Sequence, residues 1–407
     1  MLRSILLWLL GLAPIALEAT EFLVPRTQAT VDGVEMKIAP DDVVLLEPGD
    51  RGPLRIRNLR GAPGAVIVIR PAGGKVIIRA APDSAFGIKT QRSSHFRISG
   101  EIGGWEITGP QQGVTLDDLS TYFEVDHLEI HHVGFAGIMA KTDPSADPST
   151  HRGAFTLRNA SLHHNVIHHT GGEALYVGNS FFDKGRVIGG VTVFPHAIEG
   201  LRIYANRTRH TAADGIQVSA ATVDCEIFAN VIEDYGEKPF DAYQNSGLMI
   251  GAGTSGQIHH NFILRGSGNG MTLLGAGDLR VESNLIISAG EHGIFCDERP
   301  PATNTRGSHF LRNTIVQPKG DAIRLYYRPS SEAPHILAEN RLLAPGSGIF
   351  IGRRDKRVLV RSMGNLTASS LAEEVAPLAK LVAPETLPER APRPFASESA
   401  PTETANR

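Results

Sequence analysis

The chain has 407 residues, with 40 lysines and arginines against 43 aspartates and glutamates, a formal net charge of -3. That balance does not suit a protein that coats nucleic acid, and 41% hydrophobic with 20% charged residues is too apolar for a disordered chain. With 43 glycines, 25 prolines and 6% aromatic residues, the composition points to many turns and short strands and away from helix bundles.

At the N-terminus, Arg3 precedes the apolar run Ser4-Ile5-Leu6-Leu7-Trp8-Leu9-Leu10-Gly11-Leu12-Ala13, followed by Pro14 and small residues up to Ala19. A positive start, a short apolar stretch and a small-residue end predict a signal peptide over 1–19. No second apolar stretch approaches membrane length. The expectation is an exported protein, periplasmic or extracellular, with no membrane span once the signal is removed.

The β-branched runs Val43-Val44-Leu45-Leu46, Leu54-Arg55-Ile56-Arg57, Ala65-Val66-Ile67-Val68-Ile69 and Val76-Ile77-Ile78 come next, punctuated by Pro48-Gly49, Gly61-Ala62-Pro63-Gly64 and Gly73-Gly74. Each reads as a short strand. Phe96-Arg97-Ile98 and the stretch from Phe123 to Ile130 continue the series.

From there two phrases recur. The first is a Gly or Ala, an aliphatic residue, an outward residue and a second apolar residue. It occurs as Gly137-Ile138-Met139-Ala140, Ala174-Leu175-Tyr176-Val177, Gly215-Ile216-Gln217-Val218 and Gly247-Leu248-Met249-Ile250, and continues to Gly348-Ile349-Phe350-Ile351. The second is an Asn before an apolar pair, as at Asn165, Asn206, Asn230, Asn261, Asn284, Asn313 and Asn340. Asn165 to Glu173, Asn206 to Asp214 and Asn284 to His292 share one offset of 8, and the shortest full repeat, Asn261 to Asn284, is 23 residues. Coils of this length, each burying its apolar face only against its neighbours, predict an all-β, single-stranded right-handed parallel β-helix over 20–368. The Asn is explained by a turn in which it takes the left-handed conformation and its amide bonds to the next coil's Asn. Residues 369–407, rich in Ala, Pro, Glu, Ser and Thr, are expected to form a cap and a disordered tail. Cys225 and Cys296 sit in phase with apolar neighbours and read as two buried thiols.

The chain resembles the secreted right-handed parallel β-helix proteins, a superfamily of polysaccharide lyases, epimerases and polygalacturonase-like hydrolases. The stretch from Asp41 through Pro48-Gly49 to Ile69 is similar to the opening of the chondroitinase B and alginate lyase family. The resemblance implies a polysaccharide, anionic in character, as partner. Calcium is compatible with it, yet no calcium-ligand motif and no Lys-Ser-Ser-Arg signature of that family is found, so the cofactor stays open.

Insertions single out particular coils. The spacing rises to 37 residues between Ile138 and Leu175, 41 between Leu175 and Ile216, and 32 between Ile216 and Leu248. Segments 142–153 and 180–195 leave after the Gly-Ile strand, and 235–245 enters before it, so together they would wall a groove. The chemistry-capable residues fall on the same coils. Four places after the Asn position stand His169 and His210, with His132 in the same column one coil earlier. Coils stack about 4.8 Å apart, so these imidazoles should form a ladder. Glu173 and Asp214 precede the Gly/Ala position, and Lys141, Tyr176 and Gln217 are taken as outward residues of the strands. Flat stacking does not supply a tetrahedron, so no metal set is assigned.

For β-elimination on a uronic-acid glycan, His169 or His210 would be the base, Lys141 the neutraliser of the carboxylate and Tyr176 the proton donor. His132, Glu173, Asp214 and Gln217 would bind substrate. C5 epimerisation shares the first step. A glycoside hydrolase using Glu173 with Asp214 or Asp297, and a non-catalytic glycan-binding or envelope protein, are the alternatives. A second group, Asp297, Arg299 and Arg324, is expected to extend the subsites. Asp214-Gly215, Glu291-His292-Gly293 and Ile323-Arg324-Leu325 faintly resemble polygalacturonase motifs, without the Asp-Asp pair expected between them.

Overall fold

The computed structural model describes residues 19–274, 278–298 and 306–371. The expected signal peptide, the capping segment after 371 and Arg299 lie outside the described residues. What remains is built from three long parallel sheets of 13, 12 and 12 strands, visited in turn by each coil. Cys225–Phe228, Val231–Glu233 and Leu248–Ile250 are one such coil, contributing a strand to the first, second and third sheet respectively.

Inside the solenoid, like stacks on like. Ile227, Ile258, Val281 and Phe310 form one inward column, and Ile232, Ile263, Ile286 and Ile315 another, all essentially without solvent exposure. The alternation along each strand places every second residue in these columns. The Gly of the repeat phrase has a steric cause. A Cβ at Gly247 would stand 2.4 Å from Cγ2 of Ile263 and 2.7 Å from the carbonyl oxygen of Gly270.

The Asn column is a continuous amide ladder at the corner between the first and second sheets. Nδ2 of Asn261 donates to Oδ1 of Asn284 at 3.0 Å and to the carbonyl of Ile227 at 2.9 Å, while its Oδ1 accepts from the backbone and side chain of Asn230. The pattern repeats from Asn165 to Asn365. Contrary to expectation, the left-handed residue is the one before the Asn, such as His164 and His260 (φ 54° each). The chain turns first, and the Asn side chain then accepts and donates along the stack.

Two register expectations are corrected. Met139, not Lys141, stands beside Tyr176 and Gln217 in the outward column; Lys141 follows two places later, past the strand end. In the last coil, Ile323 pairs with Ile351 instead of Ile349, because the link from the second sheet is longer there. Cys225 and Cys296 are free and buried, and burial pushes both thiols up to about 12.

Candidate active site

The outer face of the third sheet is bordered at both corners. On the side leading to the first sheet, the first two insertions pair through Thr156–Arg158 and Ala197–Glu199, which in turn pairs with Ala221–Val223. His196, fully buried, accepts from the backbone N–H of Thr142 at 3.0 Å and pins the base of the first insertion. The Arg152 guanidinium lies 3.7 Å from the ring centre of Phe182 and joins the two insertions. At the opposite corner, insertion 235–245 brings Phe240 to 6.0 Å from Phe135, whose ring meets Tyr176 at 6.3 Å. Between these aromatics lies a hollow of about 480 Å³ lined by Gln111, Gln112, Gly134, Phe135, Gly171 and Phe240, with Asp83 and Ala85 at its end.

Lys141 is nearly buried, its ammonium 4.9 Å from the Tyr176 ring centre and 2.8 Å from a carboxylate oxygen of Asp143. The Tyr176 hydroxyl faces that of Ser180 at 3.4 Å. Glu173 and Asp214 occupy the same place on adjacent coils and are buried, each with one carboxyl oxygen that has no hydrogen-bond partner. Burial pushes Glu173 up to about 7, opposed by the Lys141 charge. Asp214 is driven well above the carboxylate range by burial and by Glu173, although it accepts from the Ser246 N–H at 2.6 Å. Gln217 is buried beside them. Thus Lys141, Tyr176, Glu173, Asp214 and Gln217 come together.

The histidine ladder forms as expected but one corner away. His132 stacks on His169 at 4.9 Å and His169 meets His210 at 4.8 Å with its ring tilted, each a left-handed residue near the end of a second-sheet strand. A second row, His131 over His168 at 5.0 Å, runs beside it. Partial burial and the neighbouring imidazoles and Arg209 hold His169 below the usual histidine range, and His168 falls to about 4. His210 is held from outside the ladder: its Nδ1 lies 2.8 Å from Oε1 of Glu237, which belongs to the insertion that carries Phe240. No contact among the described residues joins the ladder directly to Lys141, Tyr176, Glu173 or Asp214. Gly134 and Gly171, each two residues after a ladder histidine, line the hollow.

A model of the right-handed β-helix region matches residues 189–362. The chain is a right-handed parallel β-helix. No curated protein matches the sequence. Solved structures of similar course include an alginate lyase from Paenibacillus sp. str. FPU-7, at 15% identity over 84% of this chain and 99% of that one, with a TM-score of 0.48. A pectate lyase, Pel9A, matches at 13% over 94% and 91%, with a TM-score of 0.47. The periplasmic alginate epimerase AlgG matches at 14% over 86% and 85%, with a TM-score of 0.40.

Further along this β-helix the second predicted group is tied up internally. Arg324 donates to Asp321 at 3.0 Å and His292 accepts from the Asp321 N–H at 2.9 Å, while Asp297 caps the N–H of Glu298 at 2.9 Å. Glu124, Asp126 and His163 are close enough to share an ion, but they sit on the first sheet, and Arg97 already pairs with both carboxylates at 2.9 and 2.6 Å. Among the described residues, no helix is long and apolar enough to cross a membrane. Reading the sequence missed Glu237, Phe135 and Phe240. The aromatic content of insertion 235–245 was the available signal for the last of these; Glu237 carries none until the loop is folded back onto His210.

Proposed function

We propose that this exported β-helix acts on a uronic-acid-containing polysaccharide lying over the third sheet, as a lyase or as a C5 epimerase that shares the first proton transfer. The observation that carries this reading is the His210–Glu237 pair at 2.8 Å, set in the same insertion that closes the hollow with Phe240. A carboxylate on Nδ1 fixes the imidazole so that Nε2 presents its lone pair, which is how a general base is oriented. In this reading Nε2 of His210 takes the proton from C5 and the C5–H electrons pass into the adjacent carboxylate. Lys141 stabilises that charge. As the C4–O4 bond breaks, a C4–C5 double bond forms and the Tyr176 hydroxyl protonates the departing oxygen. Return of a proton to the opposite face of C5 would give the epimer instead.

The test is incubation with a panel of uronic-acid polysaccharides, reading the ultraviolet absorption of unsaturated ends and, in D2O, deuterium at C5. Silence in both across the panel would reject the proposal. A second reading, a glycoside hydrolase, is favoured by the stacked carboxyls Glu173 and Asp214. New reducing ends without unsaturation would support it.

A further inference from the structure

Four histidine doublets mark this chain: His131-His132, His163-His164, His168-His169 and His259-His260. Each has the same geometry. The second histidine is left-handed, and the two Nδ1 atoms converge to 2.8 Å, or 2.9 Å in the last pair. An ion bonded to imidazole nitrogens at about 2.0 Å and seeing them at right angles needs them about 2.8 Å apart. Right-angled nitrogen sets are the tetragonal preference of Cu(II) and Ni(II).

Two of the doublets lie directly over one another. His131 is parallel to His168 within 7° and His132 to His169 within 5°. Behind the inner row stand carboxylates: Nε2 of His131 is 3.5 Å from Glu106, and Nε2 of His168 is 3.8 Å from Glu129. These carboxylates stand beyond hydrogen-bond reach, as charges that favour the N–H on Nε2 and leave Nδ1 as the ligand. At the other two doublets the carboxylate is closer, Glu124 at 3.1 Å from His163 and Glu226 at 2.8 Å from His259.

We propose that His131–His132 and His168–His169 are two stacked bidentate chelates for a late first-row divalent metal, with Cu(II) bound most tightly in keeping with the general affinity order. One ion sits on each doublet through its two Nδ1 atoms and completes its shell with water. The site adjoins the His210–Glu237 pair, since His169 lies 4.8 Å from His210, but it stands whether or not the groove turns over a glycan.

The full chain would be titrated with CuCl2 by calorimetry and followed by electron paramagnetic resonance. Wild type should bind at least the two stacked ions, and at one equivalent of copper or less the spectrum should be axial and split by nitrogen. Replacing His132 and His169 together by Asn keeps residues that accept the left-handed turn and should weaken this binding more than about 100-fold. Glu129→Gln leaves every imidazole in place and should weaken one of the two ions by about 10- to 100-fold. His164→Asn with His260→Asn should leave both stacked ions. Binding equally tight in the His132/His169 variant, or lost only in the His164/His260 variant, would overturn the proposal, as would a spectrum without nitrogen splitting.

Discussion

The Nδ1 atom of His210 and a carboxylate oxygen of Glu237 stand 2.8 Å apart, across a corner that the sequence separates by 27 residues. The contact ties an otherwise exposed imidazole at the end of a histidine ladder to the loop that closes the hollow. If His210 is the base, His210→Ala should cost about 10²–10⁴ in kcat while the β-helix stays folded. Glu237→Gln should lower kcat less, because the imidazole keeps its place but loses the carboxylate that orients it. Initial rates of unsaturated product check both. An unchanged kcat in Glu237→Gln would remove Glu237 from the mechanism.

The Asn ladder predicts a steep and position-dependent stability loss. Asn261→Ala takes the acceptor from the backbone N–H of Asn230 and the side-chain donor from the Ile227 carbonyl, both in the dry interior, while Asn230 Nδ2 and Asn284 Oδ1 keep other partners. Each orphaned group costs about 1–3 kcal/mol, so the variant should lose several kcal/mol in urea denaturation. Asn365→Ala, at the half-exposed end of the ladder, should cost much less.

These residues also show what could be read in advance. The ladder and the aliphatic columns repeat with the coil, so their period alone marks the three-sheet solenoid. The left-handed residue was misplaced by one because both His164 and Asn165 are turn-compatible, and only the stacked amides decide between them. Lys141 was placed in the wrong column because the first insertion begins there and breaks the local register. Groups that depend on a loop folding back, such as Glu237 on His210 or Phe240 on Phe135, leave no periodic trace. Insertion lengths marked where a site could be, and the contacts across it appear only in three dimensions.

The hollow makes a prediction about binding. Phe240 is 58% exposed yet reaches Phe135, so its ring offers a face to a sugar without being needed by the core. Phe240→Ala should raise KM on the productive polysaccharide several-fold and leave the thermal midpoint unchanged. A drop in kcat alone, with KM intact, would place the sugar elsewhere.

Glu173 gives the sharpest dependence on pH. Its folded-state pKa is raised to about 7 by burial, above the ordinary 4.5. Between those values the folded chain holds a proton that the unfolded chain has released. Stability from this group is therefore fully present below about pH 4.5, falls as pH rises toward 7, and is level above it, with a limiting slope of about 1.4 kcal/mol per pH unit. Glu173→Gln replaces the protonated carboxyl by a neutral amide of the same shape and removes the slope. Urea midpoints should coincide for the two proteins near pH 4 and separate by pH 8, with the variant more stable. Asp214 sits one coil away and is raised in the same sense, so the variant keeps the part of the slope that Asp214 contributes. Equal midpoints at pH 8 would mean that Glu173 ionises in contact with water.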